Sequence, residues 1–446
     1  MMNQGNRSAA FSKIYLLVLL VGVNMINYSD RTLVAVLTQP MKMDLHLTDT
    51  QLGAMSGVAF AAMFSLAGLV LAQWADRFSQ KWVLCGAIGI WSAMCMLTAN
   101  ARSFAQLFAI RLGLGVGESA AAPTSYALIH TTFSPRWRPL AYGLFLTGGT
   151  LGIAFGVSIG ARLGELLGWR QAMAILAAPG FLIALLIATT VRDSSNDMAR
   201  NHSSRISTWA TFRTIGRSPI LVALVGAQSV TGIAYAGFAQ WTPAFYMRTH
   251  GMTLHELSVS YAMSSTAGAL IGLIVGGPLV GHLQTRRESA ALMLCGGLNI
   301  LSACASMAAF LVADRNLSLA MFALFGATTG STYAPTVATF QQYAPPHARA
   351  VSAAIMMLFV INMGQGGGPF LIGALSDYLT QRNVSNALGY ASLIGSAALF
   401  LSCTFYAFAA SCIRAKRSGD CNSIPYPIID PVRMAQTDKN TFQQRS

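Results

Sequence analysis

The sequence predicts an all-α membrane protein with twelve transmembrane helices, arranged as two six-helix bundles in a pseudo-two-fold relation. Three observations lead there. The 446 residues are 54% hydrophobic and only 10% charged, with a mean hydropathy of +0.52, whereas soluble domains carry about 25% charge. Apolar segments of spanning length recur near 14–37, 51–75, 82–101, 104–133, 137–161, 169–191, 218–247, 256–283, 289–313, 316–343, 347–377 and 385–413. The longest interior hydrophilic stretch, 192–217, then divides six segments from six. The strands of a β-barrel would instead read as short alternating segments, so that class is excluded.

Taken in order, residues 1–13 form a short polar N-terminus and 14–191 the first bundle. The linker 192–217 carries five arginines and the polar run Ser194–Ser195–Asn196. The second bundle occupies 218–413, and the tail 414–446, with Pro425, Pro427 and Pro431, reads as disordered. The two bundles echo each other. Ala122–Pro123–Thr124 precedes Pro135 and Arg138, and Ala334–Pro335–Thr336 precedes Pro345 and Arg349, an offset of about 211 residues. Six-helix halves repeated in parallel are a known transporter plan, with the site at their interface near the midplane.

The net charge of +14 could suggest nucleic acid, but its distribution argues for topology. With the N-terminus cytoplasmic, about 20 of the 29 Lys and Arg fall on inner segments and about 7 on outer ones; Arg31 and Arg111 stay in the membrane. This positive-inside pattern puts both termini in the cytoplasm of a multi-pass protein of an inner or plasma membrane. No small-residue cleavage site follows the first helix, which is read as retained. Six of the seven cysteines (Cys85, Cys95, Cys295, Cys304, Cys403, Cys412) lie in membrane segments and Cys421 in the tail, without metal-ligand spacing.

Asn27–Tyr28–Ser29–Asp30–Arg31 interrupts the first apolar run. Ionisable groups in hydrocarbon cost several kcal/mol each, so Asp30 and Arg31 call for a polar cavity and partners on another helix. Ending that helix near residue 37 puts them roughly 10 Å below its outer end. The antiparallel fourth helix brings Arg111 to a similar depth and Glu118 about two turns deeper. Arg111, Gly115 and Glu118 share one face at i, i+4 and i+7, and Gly113, Gly115 and Gly117 allow a neighbouring helix to approach. Two acids and two bases thus cancel inside the membrane. Either the cluster is a static packing device, or it is a proton-coupled anion site. In the second case Asp30 and Glu118 take the proton, and the released Arg31 or Arg111 binds an anion bidentately.

Several motifs resemble the major facilitator superfamily. Ala72-Gln-Trp-Ala-Asp76-Arg77-Phe-Ser-Gln-Lys81 is similar to its G-x-x-x-D-R-x-G-R-K signature, with Ala72 and Ser79 for glycines and Gln80 for an arginine. Arg111 to Gly117, followed by Glu118, resembles its fourth-helix pattern in spinster-like and organic-anion/proton symporter branches. Gly168–Trp169–Arg170, Pro179–Gly180 and Asn362–Met–Gly–Gln365–Gly–Gly–Gly368–Pro369 to Ser376–Asp377 favour the spinster-like branch. The second copy of the first signature is degraded, with Gly281 at the aspartate position. The resemblance covers about residues 20–410 and implies a secondary carrier working by alternating access, a monomer, without a cofactor other than the proton as coupling ion. Spinster-like members imply lysolipid-type or other amphipathic anions; the symporter branch implies sugar acids such as galactonate.

The remaining site candidates come from placement. Adding the repeat offset to Asp30 reaches Trp241 on the seventh helix, so Tyr28, Tyr235, Gln240, Trp241, Asn362 and Gln365 are expected to line the cavity; the alternative for Tyr235 and Trp241 is a core or interfacial place. Asp76, Arg77, Lys81 and Arg138 are expected to form a cytoplasmic gate of weak charge pairs. The run Gly364–Pro369 is expected either to hinge or to pack against the eighth helix. The scattered histidines, with His130 a local contact, and the lack of a Walker loop argue against an enzyme or an ATP-driven pump. A channel and a receptor with a frozen cluster are the rival classes.

Overall fold

The computed structural model describes residues 4–77, 79–191 and 208–418. Among them the chain is helical throughout, and thirteen helices are counted here. They are α1 (Gln4–Leu45), α2 (49–77), α3 (Gln80–Thr98), α4 (Phe104–Thr132), α5 and α6 (138–167 and 168–190), α7 (Thr208–Arg217), α8 (Pro219–Thr249), α9 (254–286), α10 (Glu288–Leu311), α11 (Arg315–Tyr343), α12 (349–381) and α13 (Ala387–Ser418). All except α7 are spans, so α8 to α13 are the seventh to the twelfth. Among the described residues nine segments are long and apolar enough to cross a membrane, one of them, Leu140–Thr190, holding α5 and α6 together. The two spans that fall short are α4 and α11, whose interiors carry charges and hydroxyls.

Local chemistry sets the boundaries. Thr48 and Thr253 make reciprocal capping boxes with Gln51 and Glu256 at the starts of α2 and α9. Ser103, Ser218 and Asp314 accept from the third backbone N–H of α4, α8 and α11. Between α5 and α6 the break is Gly168 at φ 82°, a left-handed conformation that residues with a Cβ avoid. Residues 208–217, expected as hydrophilic linker, form the helix α7. The polar run at 194–196 and the tail from 419 onward lie outside the described residues.

Two ends of the molecule differ. At the linker end lie the starts of α1 and α7; at the opposite, distal end lie the turns 46–48 and 250–253. Near the linker end each half has its own apolar cluster, one around Leu20, Trp91 and Ile129, the other around Leu224, Phe340 and Tyr406. Toward the distal end a single cluster joins both halves, with Leu33, Leu37 and Leu52 from the first and Phe238, Trp241 and Phe310 from the second. The halves are therefore fused distally and separately packed near the linker.

Residues 21–33 of α1 are pinned by a glycine ladder on α5. A Cβ added at Gly156 would lie 2.7 Å from the Ser29 carbonyl oxygen, and one at Gly160 2.6 Å from Leu33. Small residues at this period let two backbones touch. Ser29 Oγ donates to the Gly152 carbonyl at 2.9 Å, and Asn24 Nδ2 to that of Phe145 at 2.9 Å. The segment bearing Asp30 and Arg31 is thereby held fast against α5.

Candidate functional site

Helix α1 runs to Leu45, not to residue 37. Asp30 and Arg31 are thus about 22 Å from its distal end, at about 1.5 Å per residue, near the middle of the molecule and deeper than expected. The helix continues because its distal turns bury Leu37 and Met41 against the second half instead of meeting water.

Arg31 is the hub. Its Nε and Nη2 reach Glu118 Oε2 of α4 at 2.6 and 2.5 Å, and its Nη1 donates to Gln365 Oε1 of α12 at 3.4 Å. One guanidinium thus spans the two halves. It lies over the rings of Phe60, Tyr28 and Phe64, with centroids at 4.7, 5.5 and 5.6 Å, and a quarter of its side chain stays accessible (25%).

Asp30 and Arg111 are buried beside this pair. Among the described residues neither makes an ion pair within 4.0 Å; Asp30 Oδ2, Arg111 Nε, Glu118 Oε1 and Asn27 Nδ2 all lack a hydrogen-bond partner. Arg111, Cys95 and Trp91 come within interaction range of the Asp30 carboxylate. Buried polar atoms are almost always paired in proteins. With Asn27 beside the Glu118 carboxylate and no ion partner for Asp30 or Arg111 among the described residues, the surroundings of this ion pair suit a place that takes up protons, water or a ligand.

Exposed tyrosines belong to the same region as the hub. Tyr235 of α8 is 54% accessible and lies within electrostatic range of Tyr28, whose ring faces Arg31. Tyr28, Tyr126 and Tyr333 are likewise exposed; Tyr28 and Tyr333 share electrostatic range with Tyr235, and Tyr126 with Tyr28 and Tyr333. Tyr126 and Tyr333 were not among the sequence candidates. The available signal was that Tyr126 follows Glu118 by a little over two turns on the same helix.

The other candidates divide. Asn362 Nδ2 donates to Ser65 Oγ of α2 at 2.6 Å, a further bridge between halves. Gln240 and Trp241 are buried: Gln240 Nε2 donates to Thr38 Oγ1 at 2.7 Å, and Trp241 Nε1 to the Pro369 carbonyl at 2.8 Å. Their expected place on the cavity wall is corrected, because the offset of 211 residues maps depth along a helix but not which face turns inward. For Trp241 the core alternative holds. Tyr235 is exposed. The Gly364–Pro369 run forms a π-helical turn over Val360–Gly367. It packs on Gly232 of α8 and Gly57 of α2, not on the eighth span.

At the linker end, Lys81 is buried with its ammonium 4.9 Å from the Trp82 ring, and Arg138 Nε donates to the Phe133 carbonyl at 2.9 Å. The side chains of Asp76 and Arg77 lie outside those described. Among the described residues, the charge pairs that clasp the halves are at the other end, where the sequence analysis placed no gate. Asp49, fully buried at the start of α2, accepts from Lys42 Nζ (2.6 Å), Arg248 Nη1 and Nη2 (2.7 and 2.8 Å) and Ser376 Oγ (2.7 Å). Asp377 in turn accepts from the Asp49 and Thr50 backbone N–H groups at 3.0 and 2.7 Å and from Thr50 Oγ1 at 2.6 Å, capping α2 from α12.

This architecture and charge-bearing midplane define a secondary membrane carrier, and the comparisons agree: the Major Facilitator Superfamily pattern matches residues 20–369, so the chain belongs to that superfamily. Membership of that superfamily makes the chain a transporter, not an enzyme, and spinster proteins are among its relatives. It is 32% identical to an MFS-type efflux pump of Mycolicibacterium smegmatis over 85% of this chain and 88% of that protein. It is 24% identical to protein spinster homolog 1 of Homo sapiens, over 80% and 72%. A crystal structure of a bacterial homologue of the human lysosomal transporter spinster, inward-facing and unoccupied, superposes with a TM-score of 0.81 at 23% identity, covering 90% of this chain and 97% of that one. That likeness carries the fold.

Proposed function

We propose that the protein is a proton-coupled carrier of an amphipathic organic anion that works by alternating access, with both termini in the cytoplasm and acting as a monomer. The observation that carries the reading is the Arg31 hub, shared between Glu118 and Gln365 beside an unpaired Asp30 and Arg111. A proton on Glu118 removes the charge that holds Nε and Nη2. The guanidinium then offers two parallel donors to a carboxylate or phosphate. One proton and one bound monoanion leave the cluster neutral again; Asp30 takes a second proton only where the anion carries a second charge, and Arg111 shares the anion's field. The tyrosines and Phe64 give the apolar body of the substrate aromatic surface. In this scheme proton and anion bind together, which makes the coupling symport.

The test is a proteoliposome assay with lysophosphatidylglycerol and galactonate as probes and a trapped pH dye. The proton is expected to move with the anion, and Glu118→Gln and Asp30→Asn are expected to lose at least tenfold of gradient-driven flux while retaining downhill exchange. Equal gradient-driven flux in both variants overturns the proposal. A second reading is favoured by the likeness to an efflux pump: substrate and proton compete for the site and travel in opposite directions. A lipophilic cation such as tetraphenylphosphonium, driven out by an inward proton gradient, supports that reading against the first.

A further inference from the structure

We infer that α7 is a binding site for an anionic phospholipid headgroup in the leaflet at the linker end. Ser218 alone separates α7 from the membrane span that begins at Pro219, so the helix lies at the membrane surface. Its Thr211 and Ile215 are buried against the second half, which fixes the opposite face outward. That outward face carries Trp209, Phe212, Arg213, Gly216 and Arg217, which bound a shallow cleft of about 390 Å3.

The chemistry of the cleft matches a phospholipid at both ends. Trp209 is 74% exposed and stacks on Phe212 at 5.7 Å and 9°, and Phe212 stacks in turn on Phe359 of α12 at 6.3 Å. An aromatic rail this exposed is costly in water and suited to the zone between headgroups and acyl chains. Arg213 and Arg217, one turn apart, are exposed, and among the described residues neither has a carboxylate partner. Two free guanidiniums beside an apolar rail complement a phosphodiester whose acyl chains lie along the rings. Gly216 between them leaves room for the headgroup. Because the rail ends on Phe359, the lipid also steadies α12, although the inference is independent of what the carrier moves.

The full chain is purified, delipidated and melted in detergent with added phosphatidylglycerol, phosphatidylcholine or inorganic phosphate. Phosphatidylglycerol is expected to raise Tm by several degrees more than phosphatidylcholine. The Arg213→Gln/Arg217→Gln variant is expected to lose at least half of that difference, while Arg213→Lys/Arg217→Lys keeps most of it. Arg286→Gln/Arg287→Gln, which removes two other exposed basic residues at the same end, is expected to keep all of it. Trp209→Ala is expected to raise the lipid concentration needed for half the effect by several-fold. An equal response in both glutamine variants means diffuse attraction and overturns the site. So does an equal response to the two lipids, or a rise with inorganic phosphate alone.

Discussion

Asp49→Asn tests whether the distal clasp sets the conformational equilibrium. The substitution keeps the shape of the side chain and removes its charge, leaving Arg248 and Lys42 without an ion partner. Stripping one partner from a buried ion pair costs about 3–5 kcal/mol. The two cations are 21% and 25% accessible, so water recovers part of this and about 3 kcal/mol is the working figure. Arg248 and Ser376 belong to the second half and Asp49 to the first, so most of the loss falls on the distally closed arrangement alone. About 3 kcal/mol corresponds to roughly a hundredfold shift of a two-state equilibrium. Nitroxides at Met43→Cys and Leu317→Cys, both exposed near the distal ends of α1 and α11, report the separation of the halves by double electron–electron resonance. The expected result is a longer-distance population rising from minor to dominant, with the melting temperature in a fixed detergent nearly unchanged. An unchanged distance distribution in folded Asp49→Asn protein would refute the reasoning.

Two further outcomes follow from packing and from the exposed tyrosines. Gly57→Ala places a methyl group 2.6 Å from the Gly366 carbonyl oxygen, a backbone atom that cannot rotate away; the overpacking costs about 1–3 kcal/mol, and the same spin labels should show the halves parting as in Asp49→Asn. Tyr235→Phe, which keeps the ring, is expected to bind lysophosphatidylglycerol within about threefold of the parent, whereas Tyr235→Ala is expected to weaken it about tenfold, the value of one lost aromatic contact of roughly 1.4 kcal/mol; isothermal titration separates the two, and equal affinities would remove Tyr235 from the binding surface.

The bundle count and the hub residues were legible in the sequence because each violates a strong rule. Spanning length is fixed by the bilayer, and Asp30, Arg31, Arg111 and Glu118 stand out where charge is costly. Which acid meets which base was not legible. Adjacent Asp30 and Arg31 point about 100° apart on a helix, so Arg31 pairs across to Glu118 while its neighbour remains unpaired. The same angular blindness misplaced Gln240 and Trp241. The glycine ladder of α5 was readable, since Gly148, Gly152, Gly156, Gly160 and Gly164 recur every fourth residue, but its partner helix was not. The distal clasp was hidden for another reason. Lys42, Asp49, Arg248 and Asp377 each sit at the end of a span, where charge is ordinary, and only the fold brings them together.

Helix α12 connects the hub to the clasp. It meets the first half at three heights: Asn362 with Ser65, Gln365 with Arg31, and Ser376 and Asp377 with the start of α2. Its π-helical turn over Val360–Gly367 lies at the upper two of these contacts, where a looser backbone ladder lets the two parts of the helix turn separately. Gln365 and Ser376 are eleven residues apart, about 16 Å along a helix. At that distance the effects of Gln365→Ala and Asp49→Asn on the open population should add within about 0.3–0.5 kcal/mol unless a shared element couples them. A strut that transmits Arg31's change of partner to the clasp requires a departure well beyond that, about 1 kcal/mol or more, of the magnitude typical of coupled sites. Strict additivity in the double variant, read by the same spin labels, would mean that the hub and the clasp open independently and that α12 transmits nothing between them.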